Sequence, residues 1–285
     1  MQRIAVMQGR MTPPVGDRIQ CFPCEHWRQE FALASRAEIE AIEWIYDLYG
    51  EAGNPVRTDS GIREMRALSK ENQIGVVSLC ADYFMERPFL RTTQPESMEL
   101  FSRLCWLLRR CRLSGITRIV LPFVDNSSIR TVEEEEDVSE LLRAALPIAE
   151  GNGVEIHLET SLPPRRFASL LSKLPSRLIK VTYDSGNSAC LGYDVGDEFA
   201  AYGDRVGSVH IKDRARVGKS VPLGEGSADF GSILKALQGL GYDGNFVLQV
   251  ARGQSGKEVE WIGASRSFLV AQMQLARTVC EDLLP

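Results

Sequence analysis

The sequence predicts an α/β fold, a (β/α)8 TIM barrel, and three observations support this. First, eight short apolar runs rich in β-branched residues have the length of strands that are buried on both faces. Second, a stretch with helical spacing of its apolar residues follows each run, so that the unit repeats about every 35 residues. Third, no Pro- or Gly-rich linker interrupts the series, which predicts a single domain over residues 1–285.

The elements are predicted in chain order from these patterns. Strands are expected at Ile4–Met7, Ala41–Tyr46, Gly75–Cys80, Arg118–Pro122, Glu155–Glu159, Ile179–Asp184, Ser208–Ile211 and Phe246–Val250. Helices are expected at Glu25–Ala37, Ser60–Asn72, Ser97–Leu113, Val132–Asn152, Arg165–Ser172, Asp194–Tyr202, Phe230–Leu240 and Glu258–Leu284. An open doubly wound sheet is the alternative, but Met7-Gln8-Gly9-Arg10 after the first strand is not its glycine-rich fingerprint.

The composition is that of a globular protein and excludes several classes. Of the 285 residues 44% are hydrophobic and 25% charged, which gives enough apolar surface to offset the entropy of ordering the chain. The net charge of −5 argues against a nucleic-acid partner, because a duplex-binding protein needs a basic face. No apolar run approaches the roughly 20 residues that would cross a bilayer, so no membrane partner is expected.

The start of the chain and its cysteines predict a cytoplasmic protein. Residues 1–6 enter a strand-like run at once, without the succession of regions that marks a signal peptide. Seven cysteines are an odd and irregularly spaced set, which fits reduced thiols better than a disulfide framework. Cys21 and Cys24 form a C-x-x-C, interpreted as two ordinary loop thiols because no second pair completes a zinc site.

Polar residues end four successive strands of the predicted barrel, where catalytic groups of such barrels lie. These residues are Glu159, Asp184, His210 and Gln249. Two carboxylates, an imidazole and an amide oxygen suit one divalent cation such as Mn, Co, Zn, Mg or Fe. Neighbouring strand ends about 4.8 Å apart can converge on one ion. The alternative is that the two carboxylates form ion pairs with Lys212, Arg214 or Arg216 and bind no metal.

Longer motifs around these residues resemble a known family. They are Asp184-x-x-Asn187, His210-Ile211-Lys212-Asp213, Val221-Pro222-Leu223-Gly224-Glu225-Gly226 and Asp229-Phe230. Together with Glu159 they are similar to the xylose-isomerase-like TIM barrel superfamily, and locally to L-ribulose-5-phosphate 3-epimerases. The resemblance implies that Glu159, Asp184 and His210 are metal ligands. It also implies that Asn187, Lys212 and Arg216 face the substrate.

One position departs from the pattern of the family's sugar epimerases. They place a glutamate at the end of strand eight, as ligand and acid/base group, and this chain has Gln249 there. An amide oxygen can coordinate a cation, but the amide cannot take or give a proton at ordinary pH. This puts two-base epimerisation in doubt, whereas aldose–ketose isomerisation can use one base, for which Glu159 is the candidate.

Four other residues could supply a second acid/base group: Glu43, Asp82, His157 and Lys212. His157 points to the same strand face as Glu159, one layer deeper, and is expected to be a buried, hydrogen-bonded histidine. Glu43 lies in an apolar strand, where burial without a partner would be costly. We therefore expect it to meet Arg10, Lys212 or a substrate hydroxyl.

The predicted function is a metal-dependent isomerase or epimerase that acts on a sugar or sugar phosphate through a metal-stabilised enediolate. Glu159 is expected to move the proton, with Lys212 as the second catalytic group. The expected substrate-binding residues are Gln8, Arg10, Glu43, Asp82, Asn187, Arg216 and Arg252. A metal-dependent lyase, such as a sugar or inosose-type dehydratase, and a non-catalytic sugar-binding barrel are the alternatives.

Three other features of the sequence bear on metal ions, substrate phosphate and oligomerisation. Three histidines, His26, His157 and His210, cannot supply the multi-zinc site of the superfamily's nuclease branch. Gly224-Glu225-Gly226-Ser227 could hold a phosphate through backbone N–H groups, or form a plain turn. The apolar face of the last helix fits either a homo-oligomer or a cover for the barrel.

Overall fold

The computed structural model describes residues 3–281, in which eight parallel strands close into a barrel. The strands are β1 (Ile4–Met7), β2 (Ala41–Ile45), β3 (Gly75–Cys80), β4 (Arg118–Phe123), β5 (Glu155–Thr160), β6 (Ile179–Asp184), β7 (Val206–Ile211) and β8 (Asn245–Leu248). Around the barrel the order is β1-β8-β7-β6-β5-β4-β3-β2, and the pairing of β1 with β2 completes the circle. The predicted (β/α)8 TIM barrel is confirmed.

Helices cover the outside of the barrel. They are α1 (Gln29–Arg36), α2 (Asp59–Asn72), α3 (Tyr83–Glu86), α4 (Gln94–Ser114), α5 (Val132–Asn152), α6 (Pro164–Ser172), α7 (Ser185–Leu191), α8 (Val195–Tyr202), α9 (Phe230–Gly239) and α10 (Glu258–Glu281). The sequence did not predict α3 and α7, because four and seven residues are too few for helical periodicity to show. Among the helices described, none combines the length and the apolar content that a membrane crossing requires.

Several strand and helix ends also differ from prediction. The strand β7 begins at Val206 rather than Ser208, and β8 spans Asn245–Leu248 rather than Phe246–Val250, which leaves Gln249 just beyond its last residue. Helix α1 begins at Gln29 rather than Glu25, because residues 23–28 form tight turns such as His26 N–H to the Pro23 carbonyl at 2.9 Å. Helix α4 begins at Gln94, three residues early, where the Glu96 carboxylate accepts from the backbone N–H of Thr93 at 3.1 Å. The last three residues predicted for α10 lie outside the described chain.

Strand register brings the polar strand ends together at one mouth of the barrel. In a parallel barrel all carboxyl ends share one side, and Asp184 is the direct partner of His210 across β6 and β7. Glu159 pairs with Pro122 of β4 in the same way. A two-stranded ribbon, Asp213–Arg214 with Ser220–Val221, follows β7 and rises beside this mouth.

An aromatic cluster anchors the long segment between β1 and α1. The indole of Trp44 on β2 packs against Phe22, Trp27 and Phe31, with ring centroids 5.7, 5.7 and 6.1 Å away. All four rings are buried. Burial of this much aromatic surface holds residues 22–31 on the outside of β2, so the preceding residues cross the mouth of the barrel.

Candidate metal centre and active site

Three side chains from neighbouring strands form a compact, buried group at the mouth of the barrel. Glu159 on β5, Asp184 on β6 and His210 on β7 each offer one ligand atom, and these atoms lie within 4.8 Å of one another. We call these three residues the triad. Asp184 also caps α7, since its Oδ1 accepts from the backbone N–H of Asn187 at 2.7 Å, and this leaves Oδ2 facing the site.

Glu43 fixes the orientation of the His210 ring. The Nε2 atom of His210 lies 2.7 Å from Oε1 of Glu43, and both side chains are fully buried. The other oxygen of Glu43 accepts from the Ser78 hydroxyl at 2.5 Å. Burial works to raise the pKa of Glu43, but the bonds from His210 and Ser78 outweigh it and hold this pKa below its ordinary value.

The inward nitrogen of His210 fits a metal ligand. Within residues 3–281 its buried Nδ1 has no hydrogen-bond partner, although Oε2 of Glu159 lies 3.5 Å away. When the Nε2–H donates to Glu43, the Nδ1 lone pair points at the triad, as in carboxylate–histidine–metal arrangements. Burial works to lower the pKa of His210, but the charges of Glu43, Glu159 and Asp184 raise it to about 9. This concentration of negative charge favours a divalent cation.

Burial and two neighbouring charged groups shift the pKa of Glu159 in the cation-free protein. Burial raises the pKa of its carboxyl, His210 opposes this, and Asp184 adds to it, so that the pKa is about 7. Its Oε1 accepts from the amide of Asn187 at 2.9 Å. Asn187 therefore fixes one oxygen and leaves the other toward His210.

Gln249 reaches the triad through Lys212. The Nζ atom of Lys212 lies 3.3 Å from Oε1 of Gln249, 3.4 Å from Oδ1 of Asn187 and 3.5 Å from Oδ2 of Asp184. The ion pair of Lys212 with Asp184 is one of those expected if no metal binds. Direct coordination by Gln249 therefore stays a prediction.

A cavity of about 520 Å³ opens at this mouth of the barrel, and Glu159 of the triad lines it. Six of the residues that the sequence predicts for the site line it: Arg10, Asp82, Glu159, Asn187, Lys212 and Gln249. The volume lies in the range of small-molecule pockets, and most of its polar groups come from strand ends. The mouth therefore holds the predicted catalytic groups and part of the predicted substrate-binding set.

Two residues expected at the substrate lie below the cavity instead. Gln8 is fully buried, and its Oε1 accepts from the backbone N–H of Ile45 at 2.9 Å, so it joins β1 to β2. Glu43 meets neither Arg10 nor Lys212, because His210 and Ser78 occupy its two oxygens. Its place is beside a ligand of the predicted metal.

Two arginines expected at the substrate lie outside the cavity lining. Arg216 is exposed beyond the ribbon, next to Gly192. Arg252 donates from Nε, Nη1 and Nη2 to the backbone carbonyls of Ile19, Thr12 and Gly9, at 2.9–3.0 Å. These bonds use its guanidinium to clamp the β1–α1 segment, so the structure gives Arg252 a role in holding that segment.

Two of the cavity residues that the sequence did not assign to the site are Gln20 and Arg214, the second of which was named only as an ion-pair candidate. Gln20 accepts from Arg10 at 3.0 Å and from Gln249 at 3.1 Å through Oε1, and donates to Asp82 at 2.8 Å through Nε2. It joins the ends of β1, β3 and β8 from a segment without secondary structure, which gives no periodic signal. Arg214 donates to Asn187 Oδ1 at 2.9 Å, from the ribbon that was not predicted.

The glycine-rich stretch after the ribbon wraps a carboxylate of the chain itself. The buried Asp213 accepts from the backbone N–H groups of Gly224, Gly226 and Ala228 at 2.9–3.1 Å. A Cβ at position 226 would collide with Oδ1 of Asp213, which explains the glycine. The N–H groups of Glu225 and Ser227 donate to the carbonyls of Pro222 and Arg214, so all four N–H groups of residues 224–227 are already bonded and the plain turn is the better interpretation.

Two features set aside in the sequence have structural explanations. His157 is fully buried, with Nδ1 2.8 Å from the Ser208 hydroxyl and Nε2 3.0 Å from Glu155. It lies below the triad as a hydrogen-bonded core histidine, as predicted. Cys21 and Cys24 are free thiols; burial raises the pKa of Cys21 to about 12 and that of Cys24 above its usual value, so neither is an activated thiolate.

Known proteins are similar to this chain in sequence or in architecture. Over 276 residues the chain is 26% identical to SgbU of Escherichia coli (strain K12), a protein assigned as an L-ribulose-5-phosphate 3-epimerase, covering 89% of this chain and 94% of SgbU. The structure of an L-ribulose 3-epimerase is similar with a TM-score of 0.79 at 16% identity, covering 100% of this chain and 99% of that one. The crystal structure of IolI with a bound zinc atom is similar with a TM-score of 0.78 at 16% identity, covering 96% and 99%.

The family follows from a match over most of the chain. Residues 31–272 match the family described as xylose isomerase-like TIM barrel, a span from within α1 to within α10 that contains the whole triad. The closed barrel and the two similar structures agree with that match. The chain therefore belongs to the xylose isomerase-like TIM barrel family.

Proposed function

We propose that this protein is a divalent-cation-dependent epimerase or isomerase of a ketose or ketose phosphate. The observation that carries the proposal is the buried Nδ1 of His210, which has no hydrogen-bond partner among residues 3–281 and lies beside the carboxylates of Glu159 and Asp184. Glu159 also lines the cavity. The relative SgbU supports L-ribulose 5-phosphate as the first substrate to test.

Glu159, Asp184 and His210 would hold the cation, with the amide oxygen of Gln249 as a fourth ligand. A bound divalent cation supplies Lewis-acid polarisation of the sugar carbonyl, which makes the hydrogen on the adjacent carbon more acidic. Glu43 pairs with Nε2 of His210, so Nδ1 is the nitrogen that would bind the cation after it loses its proton. Asn187 keeps one oxygen of Glu159 occupied, so that the carboxylate has a fixed direction.

Proton transfer is the task of Glu159. Its carboxylate lines the cavity and has one oxygen held by Asn187, so the other oxygen is placed to accept a proton from carbon and to return it. Removal of the proton leaves an enediolate in the substrate, and the ammonium of Lys212 lines the same cavity and can balance its charge. The Arg214 guanidinium, between Asn187 and the ribbon, can bind a hydroxyl or a phosphate oxygen.

Deuterium incorporation tests the proposal. The purified protein, stripped with EDTA and reloaded with Mn²⁺, Co²⁺ or Zn²⁺, is incubated in D2O with L-ribulose 5-phosphate or L-ribulose and followed by proton NMR and mass spectrometry. We expect cation-dependent formation of an isomeric sugar with deuterium at the reacting carbon. A product lighter by one water would assign the lyase alternative, and no product or exchange with either sugar would contradict the proposal.

Two variants on one strand locate the chemistry. Glu159→Gln removes the proposed base and is expected to lower turnover at least about 100-fold. Glu155→Gln alters a glutamate of the same strand that contacts His157 below the site, and should leave turnover near the wild-type value. Equal activity of Glu159→Gln and wild type would contradict the assignment of Glu159.

A further inference from the structure

Epimerisation needs a second proton carrier, which the triad does not supply. Inversion removes a proton from one face of a carbon and returns one to the other face, so one carboxylate on one side is not enough. The amide of Gln249 carries no proton that titrates near neutral pH. The Nζ atom of Lys212 is engaged by Asp184 of the triad, by Asn187 and by Gln249, at 3.3–3.5 Å. The second carrier must therefore come from elsewhere in the cavity.

The acidic side chains that line the cavity are the candidates for this second proton carrier. They are Asp47, Asp82, Glu86, Asp125 and Glu159. Glu86 and Asp125 are exposed at the rim. Asp47 is buried, but its oxygens accept from the backbone N–H groups of Phe22 and Gly50 at 2.7 and 2.6 Å, which ties it to loop structure. Asp82 remains as a buried acid outside the triad whose partners are side chains.

The hydrogen-bond donors to the Asp82 carboxyl are uncharged groups, so they position it without forming an ion pair. Its Oδ2 accepts from the Gln20 amide at 2.8 Å, and its Oδ1 from the Cys80 thiol at 3.1 Å. Burial raises the pKa of Asp82 to about 6, against the effect of these two bonds. A carboxyl group in this state can give a proton near neutral pH and regain it from water.

The barrel places Asp82 and Glu159 on either side of one space. Asp82 follows β3 and Glu159 lies near the end of β5, with only β4 between them. Strands about 4.8 Å apart put these two ends about 10 Å apart at the backbone, so both side chains can reach a carbon between them. The Gln20 amide also links Asp82 to Gln249, since Gln20 Oε1 accepts from Gln249 at 3.1 Å.

We propose that Asp82 is the second acid/base group of the reaction, in the role that Gln249 cannot fill. The inference rests on the proposed epimerase function. Glu159 takes the proton as the carbon–hydrogen bond breaks, and the electron pair of that bond enters the enediolate. The O–H bond of Asp82 then breaks as a new carbon–hydrogen bond forms on the opposite face. Asp82 is left ionised and Glu159 protonated, and proton exchange with water restores both.

The test separates inversion from exchange. Asp82→Asn and the rim control Asp125→Asn, both loaded with Mn²⁺, are incubated with L-ribulose 5-phosphate in D2O. For Asp82→Asn we expect epimer formation to fall at least about 100-fold while deuterium still enters the original epimer at C3 within a few-fold of the wild-type rate. Retained exchange also shows that the variant is folded and that Glu159 works. Asp125→Asn should behave as wild type.

A double variant tests whether epimerisation can be restored to Asp82→Asn. The wild type distinguishes failure of the Asp82 role from failure of the proposed epimerase function. Adding Gln249→Glu to Asp82→Asn restores a carboxyl group at the end of β8 and is expected to recover part of the epimerisation. Wild-type epimerisation by Asp82→Asn, or parallel loss of epimerisation and exchange, would overturn the role of Asp82 while the proposed function stands. A wild type that neither epimerises nor exchanges the sugar would overturn the proposed function and this inference with it.

Discussion

The carboxylate of Glu43 lies 2.7 Å from Nε2 of His210, and both side chains are fully buried although 167 residues separate them in the chain. This contact leaves the opposite ring nitrogen without a partner in the described part of the chain. A carboxylate in the middle of β2 thus orients a ligand on β7.

Replacing Glu43 should weaken the cation site without removing a ligand. Glu43→Gln keeps the size of the side chain but loses its charge, so His210 becomes less basic and less well oriented. We expect divalent-cation affinity to fall about 10- to 100-fold, measured by competition with a chromophoric chelator. Glu155→Gln is the matched control, because Glu155 contacts the other barrel histidine, His157. Unchanged affinity in Glu43→Gln would rule out the role.

Removal of the cation should lower the thermal stability. Glu159 and Asp184 lie close together and buried, so a bound cation relieves their repulsion and stabilises the folded state by RT ln(1 + [L]/Kd), about 2.7 kcal/mol at 100 times Kd. Calorimetry should show a higher Tm with Mn²⁺ than with EDTA.

Asp184→Asn should abolish that cation-dependent shift in Tm. Because Asp184 also caps α7, Asp194→Asn, which changes the cap of α8, controls for the loss of a helix cap. The control should keep the full shift. A shift of wild-type size in Asp184→Asn would place the cation elsewhere.

Glu30 should make stability fall as the pH rises. This carboxyl is fully buried in α1, and burial raises its pKa to about 8, well above the unfolded value near 4.5. The folded state therefore holds a proton that the unfolded state has lost. Its stabilising effect is complete below pH 4.5 and is lost as the pH rises through 8.

The variant Glu30→Gln checks this sign. Between pH 7 and 9 the wild type should lose on the order of 1 kcal/mol more unfolding free energy than Glu30→Gln, measured by urea titration. Glu140→Gln, at an exposed position of α5, should follow the wild type. If Glu30→Gln has the wild-type pH profile, the buried carboxyl is ionised throughout.

Arg252 should stabilise the β1–α1 segment before any substrate binds. Arg252→Lys keeps the charge but cannot reach all three carbonyls of residues 9, 12 and 19, so we expect a loss of about 1–3 kcal/mol of unfolding free energy. Amide hydrogen exchange over residues 9–20 should speed up in the ligand-free protein. Arg216→Lys, on the exposed side, should change neither quantity. Normal exchange in Arg252→Lys would argue against the clamp.

Most of the fold could be predicted from local patterns in the sequence. The strands Gly75–Cys80 and Ile179–Asp184 have the predicted bounds, because their buried β-branched runs are flanked by clear helical patterns. The triad followed from the same reasoning, since the carboxyl ends of parallel strands share one mouth. The closeness of Asp184 and His210 needs no more than knowledge of neighbouring strands.

Contacts made by loops and across the barrel could not be predicted. Arg214 and Arg216 are two residues apart, and only the ribbon, whose strands are two residues long, decides which one enters the cavity. Gln20 reaches three strand ends from a segment with no periodicity. The partner of Glu43 depends on the barrel's closure, which brings β2 and β7 to face each other across the interior.

The carboxylate of Asp213 within its ring of backbone N–H groups has a consequence for the loop that follows β7. Loops that wrap an incoming anion become ordered only when it arrives, and part of the binding energy is spent on that ordering. Here the chain carries its own anion at the centre of the loop. The guanidinium of Arg214, next in sequence, is thus in position before a sugar enters, and binding energy from that contact can act on the reacting carbon.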